Sequence, residues 1–103
     1  MRTGSENGFR LLTDIPATLG VAGVLDFDTA APALQAIHSA LVADRRMAQL
    51  DLTGVSRCDS AGLACVLAAV AEATRHGRDL QVIHMPAGMQ ALASVCEVDQ
   101  LIR

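Results

Sequence analysis

Between residues 60 and 77 the chain carries its clearest periodic signal. Leu63, Val66, Leu67, Val70 and Thr74 fall on one face at helical spacing, and the run closes at His76-Gly77, a basic residue and a glycine of the kind that end helices. Short apolar runs lie on either side of this helix: Met47 to Leu52, where Ala48, Leu50 and Leu52 alternate with Gln49 and Asp51, and Leu80 to Met85, stopped by Pro86. A helix between two such strands is a crossover connection. That pairing restricts the chain to an α/β arrangement in which helices pack on a sheet.

The rest of the sequence extends the same alternation. Met1 to Gly8 is polar and glycine-containing and reads as a flexible leader over 1–8, with the folded domain over 9–103. Phe9 to Leu12 and Thr18 to Val24 are apolar runs separated by Asp14-Ile15-Pro16, which reads as strand, turn, strand, with Leu19, Val21 and Gly23 on one face. Asp28 or Thr29 can cap the next helix, with Pro32 tolerated in its first turn, and Leu34, Ile37 and Leu41 form its buried stripe as far as about Ala43. Met89, Leu92, Ala93 and Cys96 line up on a last helix. The expected fold is a single α/β domain, a mixed β-sheet with helices packed against it, in the order β-β-α-β-α-β-α.

Several classes of function fit poorly. Of 103 residues, 51% are hydrophobic, enough for one core, but only 2% are aromatic (Phe9 and Phe27), so no platform exists on which nucleic-acid bases could stack. The formal net charge is −3 and the arginines are scattered, which argues against a nucleic-acid partner. No segment approaches the roughly 20 apolar residues that span a bilayer, so direct membrane insertion is not expected. Cys58, Cys65 and Cys96 show no C-x-x-C spacing and sit in apolar runs, as reduced thiols of a cytosolic protein would.

Cofactor and metal chemistry have no motif either. The glycines form neither G-x-G-x-x-G nor G-x-x-x-x-G-K-[ST], and no Cys or His lies at metal-ligand spacing, so neither a nucleotide cofactor nor a metal is expected. Cys58-Asp59-Ser60-Ala61-Gly62 lacks the glycine two residues before the serine that a nucleophile elbow needs. His38, His76 and His84 come with no obvious orienting carboxylate, so no catalytic residue is assigned and an enzyme is not expected.

That leaves the turn itself, Asp59-Ser60-Ala61-Gly62-Leu63. A capping role for Asp59 or Ser60 explains one polar residue. It does not explain a glycine in the first turn, which costs about 1 kcal/mol of helix propensity relative to alanine. Small residues at a helix start leave backbone N–H groups and a positive dipole end bare, suiting a phosphate on Ser60 or close approach by another protein. Both readings stand at this point.

Asp51-Leu52 at a strand end, Asp59-Ser60-Ala61-Gly62-Leu63-Ala64 opening an apolar helix, Gly77 after it, and a strand, a helix and a terminal Val98-Asp99-Gln100-Leu101-Ile102 together resemble the STAS family, the domains of anti-sigma-factor antagonists and their relatives. Gly23-Val24-Leu25-Asp26 looks like the family's Gly-x-Leu-Asp segment before its first helix. Within the family, the Asp-Ser-Ala-Gly-Leu-Ala form, Pro86 at the last helix and Leu92-Ala93 followed by Val98-Asp99-Gln100-Leu101 are most similar to the MlaB group, subunits of the bacterial Mla phospholipid ABC transporter.

The resemblance implies a non-enzymatic protein that binds the transporter's cytoplasmic ATPase (MlaF-like), with the permease MlaE and MlaD reached indirectly. It implies a cytoplasmic location, peripheral to the inner membrane through that complex. The contact would comprise Asp59, Ser60, Ala61, Gly62 and Leu63, with Asp26 and Asp51 in support and Ser60 as a possible phosphoacceptor. The rival implication is an anti-sigma-factor antagonist in which a serine kinase modifies Ser60.

Overall fold

The chain folds back on itself first: Phe9–Leu12 (β1) runs antiparallel to Thr18–Leu25 (β2), with Phe9 opposite Gly23 and Leu12 opposite Gly20. Ala17, at φ 61°, takes the left-handed conformation that completes the reversal after Pro16. The structure, a computed structural model, describes residues 8–96; the expected leader apart from Gly8, and the Val98–Ile102 ending, lie outside the described residues.

After β2 come Ala30–Ala43 (α1), Gln49–Cys58 (β3), Ser60–Arg75 (α2), Gln81–Ile83 (β4) and Ala87–Val95 (α3), the element order read from the sequence. The sheet order is β1-β2-β3-β4, with β2, β3 and β4 parallel and β1 antiparallel at its edge. Two successive crossovers step the same way across the sheet, and α1 and α2 pack against each other, with α3 beside α2. The core lies beneath them: Leu19 and Val21 of β2, Leu50 and Leu52 of β3, Ile37 of α1 and Val66 of α2 are all but inaccessible. Met89, on the expected stripe of the last helix, is fully buried.

Two strands differ from expectation: β4 stops at Ile83, short of Met85, where His84 turns to φ 57°, and β3 is longer than expected. β3 does not end at Leu52 but continues through Thr53 and Gly54 to Cys58, because β2 goes on pairing with it: Ala22 opposes Gly54, Gly23 opposes Val55 and Leu25 opposes Cys58. The alternation breaks there because the register shifts twice along β2, at Gly20/Ala22 and at Gly23/Val24. At Gly54 an added Cβ would lie 2.7 Å from the Ala22 Cβ, so the glycine marks a close crossing of two strands rather than a loop.

α2 ends as its sequence suggests, with Gly77 at φ 74°. The Gly77 amide donates to the Thr74 carbonyl and the Arg78 amide to Ala73, the paired bonds of a Schellman cap. That turn delivers Arg78 to the far end of α1. Its guanidinium donates to the carbonyls of Leu41, Asp44 (3.0 Å) and Met47 (3.1 Å), satisfying acceptors that the helix end and its following loop leave open. Charge-assisted bonds of this kind are worth about 1.5–3 kcal/mol, and their loss strands partly buried carbonyls. Arg78→Ala should therefore lower the unfolding free energy by about 2–3 kcal/mol, measured by urea denaturation; a loss under about 0.5 kcal/mol would show that water replaces the clamp.

Candidate functional site

β2 and β3 finish side by side, and the chain leaves both at the same edge of the sheet, where open α/β folds form their sites. From β3 it passes through Asp59 directly into α2. Asp59 is extended (φ −134°) and its Oδ1 accepts from the amides of Ala61 (2.9 Å) and Gly62 (3.1 Å). Its Oδ2 accepts from the Phe27 amide in the β2–α1 loop (3.2 Å), while its own amide donates to the Leu25 carbonyl (3.2 Å). Asp59, not Ser60, is thus the N-cap, and the same carboxylate fastens the neighbouring loop.

That loop is braced by Asp26. Its Oδ1 accepts from the amides of Asp28 (2.9 Å) and Thr29 (3.2 Å), and its own amide donates to the Thr29 hydroxyl (2.9 Å). Thr29 occupies the cap position of α1 but makes no side-chain bond to the helix's amides; its buried hydroxyl donates to the Val24 carbonyl (2.8 Å). The Arg57 guanidinium stands 3.9 Å from the other Asp26 oxygen.

The five expected contact residues separate on this frame. Ser60 is exposed, and its hydroxyl has no hydrogen-bond partner among the described residues; Asp59 and Ala61 are partly exposed. Gly62 and Leu63 are buried and face the chain's own interior. This corrects their assignment as contact residues. Leu63 belongs to the core, and Gly62 is small because α2 presses on the end of β2: an added Cβ would lie 2.2 Å from the Leu25 carbonyl oxygen. The bare amides expected at the helix start are also occupied, since Asp59 takes those of Ala61 and Gly62 with its side chain and that of Leu63 with its carbonyl.

Asp51 is not part of this site. With β3 running to Cys58, it is the third residue of the strand rather than a residue at its exit, and the seven residues to Cys58 span about 23 Å at some 3.3 Å per residue. Its Oδ1 accepts from the Thr53 hydroxyl (2.6 Å) and amide (2.9 Å) and meets His84 Nδ1 (3.1 Å). The Thr53 hydroxyl is the main cause holding its carboxyl below the usual range, helped by the Thr53 amide and His84 and opposed by partial burial.

Two histidines do have carboxylate partners, contrary to expectation: His84 with Asp51, and His76 with Glu72 (Nε2 to Oε2, 3.0 Å). The first pair spans β3 to the residue after β4, invisible to local sequence; the second is an i, i+4 pair at the far end of a 16-residue helix, some 24 Å from Ser60 at about 1.5 Å per residue. Neither pair can serve Ser60 as a base from those positions. Burial first, and then the Asp59 carboxylate, push the Cys58 thiol up, away from thiolate reactivity, and burial pushes Cys65 to about 11.

Phe27 was missed by reasoning from the sequence. It stands 82% exposed beside the cap, held by its amide to Asp59. Its signal was local: an aromatic between Asp26 and Asp28, in a segment joining strand to helix and on no apolar stripe.

A family model described as "Mlab, STAS domain" matches residues 11–103. Among solved structures the chain is similar to the anti-sigma factor antagonist SpoIIAA in its unphosphorylated form (18% identity, TM-score 0.61, covering 84% of this chain and 81% of that one). It is also similar to the Bacillus cell fate determinant SpoIIAA in the phosphorylated form (16% identity, TM-score 0.64, 92% and 88%). A third likeness is to SLC26A9, of which it matches a small part (18% identity, TM-score 0.62, 87% of this chain and 18% of that one). No curated protein matches the chain by sequence.

Gly62→Ala should destabilise the fold by at least about 2 kcal/mol, although alanine is the better helix residue by about 1, because the β2 end cannot withdraw without breaking its pairing. A variant as stable as wild type would disprove the close approach. Asp51 predicts a pH effect. Its folded pKa is depressed, so its contribution is present above the unfolded value near 4 and is lost as pH falls through the lower folded value. The stability gap between wild type and Asp51→Asn should shrink as the pH is taken from about 6 to about 3, followed by urea midpoints; a constant gap would contradict it.

Proposed function

The chain belongs to the STAS family, and from that premise we propose that it is a non-catalytic subunit that binds the cytoplasmic ATPase (MlaF-like) of a phospholipid-transporting ABC complex. There it supports assembly and activity in the upkeep of outer-membrane lipid asymmetry. It would meet the permease MlaE and MlaD only through that ATPase and sit in the cytoplasm, peripheral to the inner membrane. Among the described residues no helix is long and apolar enough to cross a membrane.

The MlaB description of the matching family model supports the choice of partner. The observation that carries a binding role is the exposed Ser60 hydroxyl on a frame whose neighbouring backbone groups are already bonded internally. Such an end can be covered by another protein without stranding the amides of Ala61, Gly62 and Leu63. Among the described residues no base or oxyanion donor, which hydrolysis would require, meets the Ser60 hydroxyl.

A second reading, an anti-sigma-factor antagonist switched at Ser60, draws support from the same exposed hydroxyl. A solved relative of this fold bears the description "phosphorylated form". Because Asp59 already fills the helix start, a phosphate on Ser60 would gain few amide donors and would lie beside a carboxylate. Modification would therefore add repulsion at the contact rather than a new internal bond.

Ser60→Ala should leave stability within about 0.5 kcal/mol, since Asp59 keeps the cap, and should weaken binding to the purified ABC ATPase; Ser60→Glu should weaken it further. Titration calorimetry measures both. Equal affinity across the three proteins would remove Ser60 from the contact. Recovery of an anti-sigma serine kinase instead of the ATPase in a pull-down would favour the second reading.

A further inference from the structure

Phe27 is exposed in a loop that is not loose. Its amide is held by Asp59, the amides of Asp28 and Thr29 by Asp26, and the Asp26 amide by the Thr29 hydroxyl. An aromatic ring offered on a braced loop loses little freedom on binding, and buried aromatic anchors dominate protein interfaces. The charge around it is predominantly negative. Asp26 and Asp59 are partly exposed and Asp28 is exposed, while Arg57 stands loosely at 3.9 Å from Asp26 and Arg10 is exposed on the neighbouring β1. Arg45, Arg46, Arg75 and Arg78 lie instead where α1 and α2 end.

We propose that Phe27 is the anchor of the partner interface and that the partner receives it in an apolar pocket rimmed by Lys and Arg. The surface is read from this chain alone; identification of the partner as an ABC ATPase rests on the function proposed above. A second copy of the chain would set carboxylate against carboxylate, and an anionic membrane would do the same, so the occupant is a protein of complementary charge.

The test is the affinity of the purified ABC ATPase for full-length wild type, Phe27→Ala and Asp28→Asn at low and moderate salt. Phe27→Ala should weaken binding about 30-fold or more with an unchanged unfolding midpoint, as loss of an anchor does. Asp28→Asn should slow association and flatten its salt dependence. Binding of Phe27→Ala within twofold of wild type would overturn the inference while leaving the ATPase as partner. If wild type does not bind the ATPase, that identification fails, and a photocrosslinking residue at position 27 in cells then decides the inference. An adduct mapped to a partner peptide carrying Lys or Arg beside apolar residues, with that partner lost in Phe27→Ala, upholds it; adducts at position 60 but none at 27 overturn it.

Discussion

The two oxygens of the Asp59 carboxylate hold together the end of the domain where β2 and β3 finish. One closes the first turn of α2 through Ala61 and Gly62; the other reaches Phe27, 32 residues earlier in the chain. A neutral cap could have satisfied the first task, but a single hydroxyl has one oxygen with which to accept from three amides. The carboxylate therefore fixes the relative position of two connections that share no local sequence. Everything exposed at this end, Ser60 and Phe27 above all, takes its position from that bridge.

Packing makes the bridge possible. Gly62 lets α2 lie directly on the end of β2, and the small residues Cys65, Ala69 and Ala73 continue the buried face, so the helix stays close to its neighbours. The alanine-rich character of α2 is thus a property of its inward face as well as its surface. Partner binding need not be invoked for either Gly62 or Leu63.

What the sequence disclosed follows from the range of the interaction responsible. β1, α2 and the glycine cap after α2 were legible because alternation, helical spacing and a positive-φ glycine are local signals. The extent of β3 was hidden, because Thr53 and Gly54 resemble a loop until β2 is laid beside them with its register shifts. Asp51 was misplaced for the same reason, and its union with His84 depends on β4 docking next to β3. The Asp59 turn was correctly seen as special, yet the two candidate caps could not be ranked without Phe27. Gly62 was explained by an outside partner when an inside neighbour, Leu25, suffices.

The Arg78 clamp ties the completion of an early helix to a late residue. Leu41, to whose carbonyl the guanidinium donates, precedes it by 37 positions. Until α2 has formed and its glycine turn has brought the arginine round, the carbonyls that Arg78 meets at the end of α1 have water as their partner. The domain is consequently a poor candidate for stepwise assembly from its N-terminus. Its halves mature together, so a chain interrupted anywhere before residue 78 leaves α1 unfinished as well as the sheet.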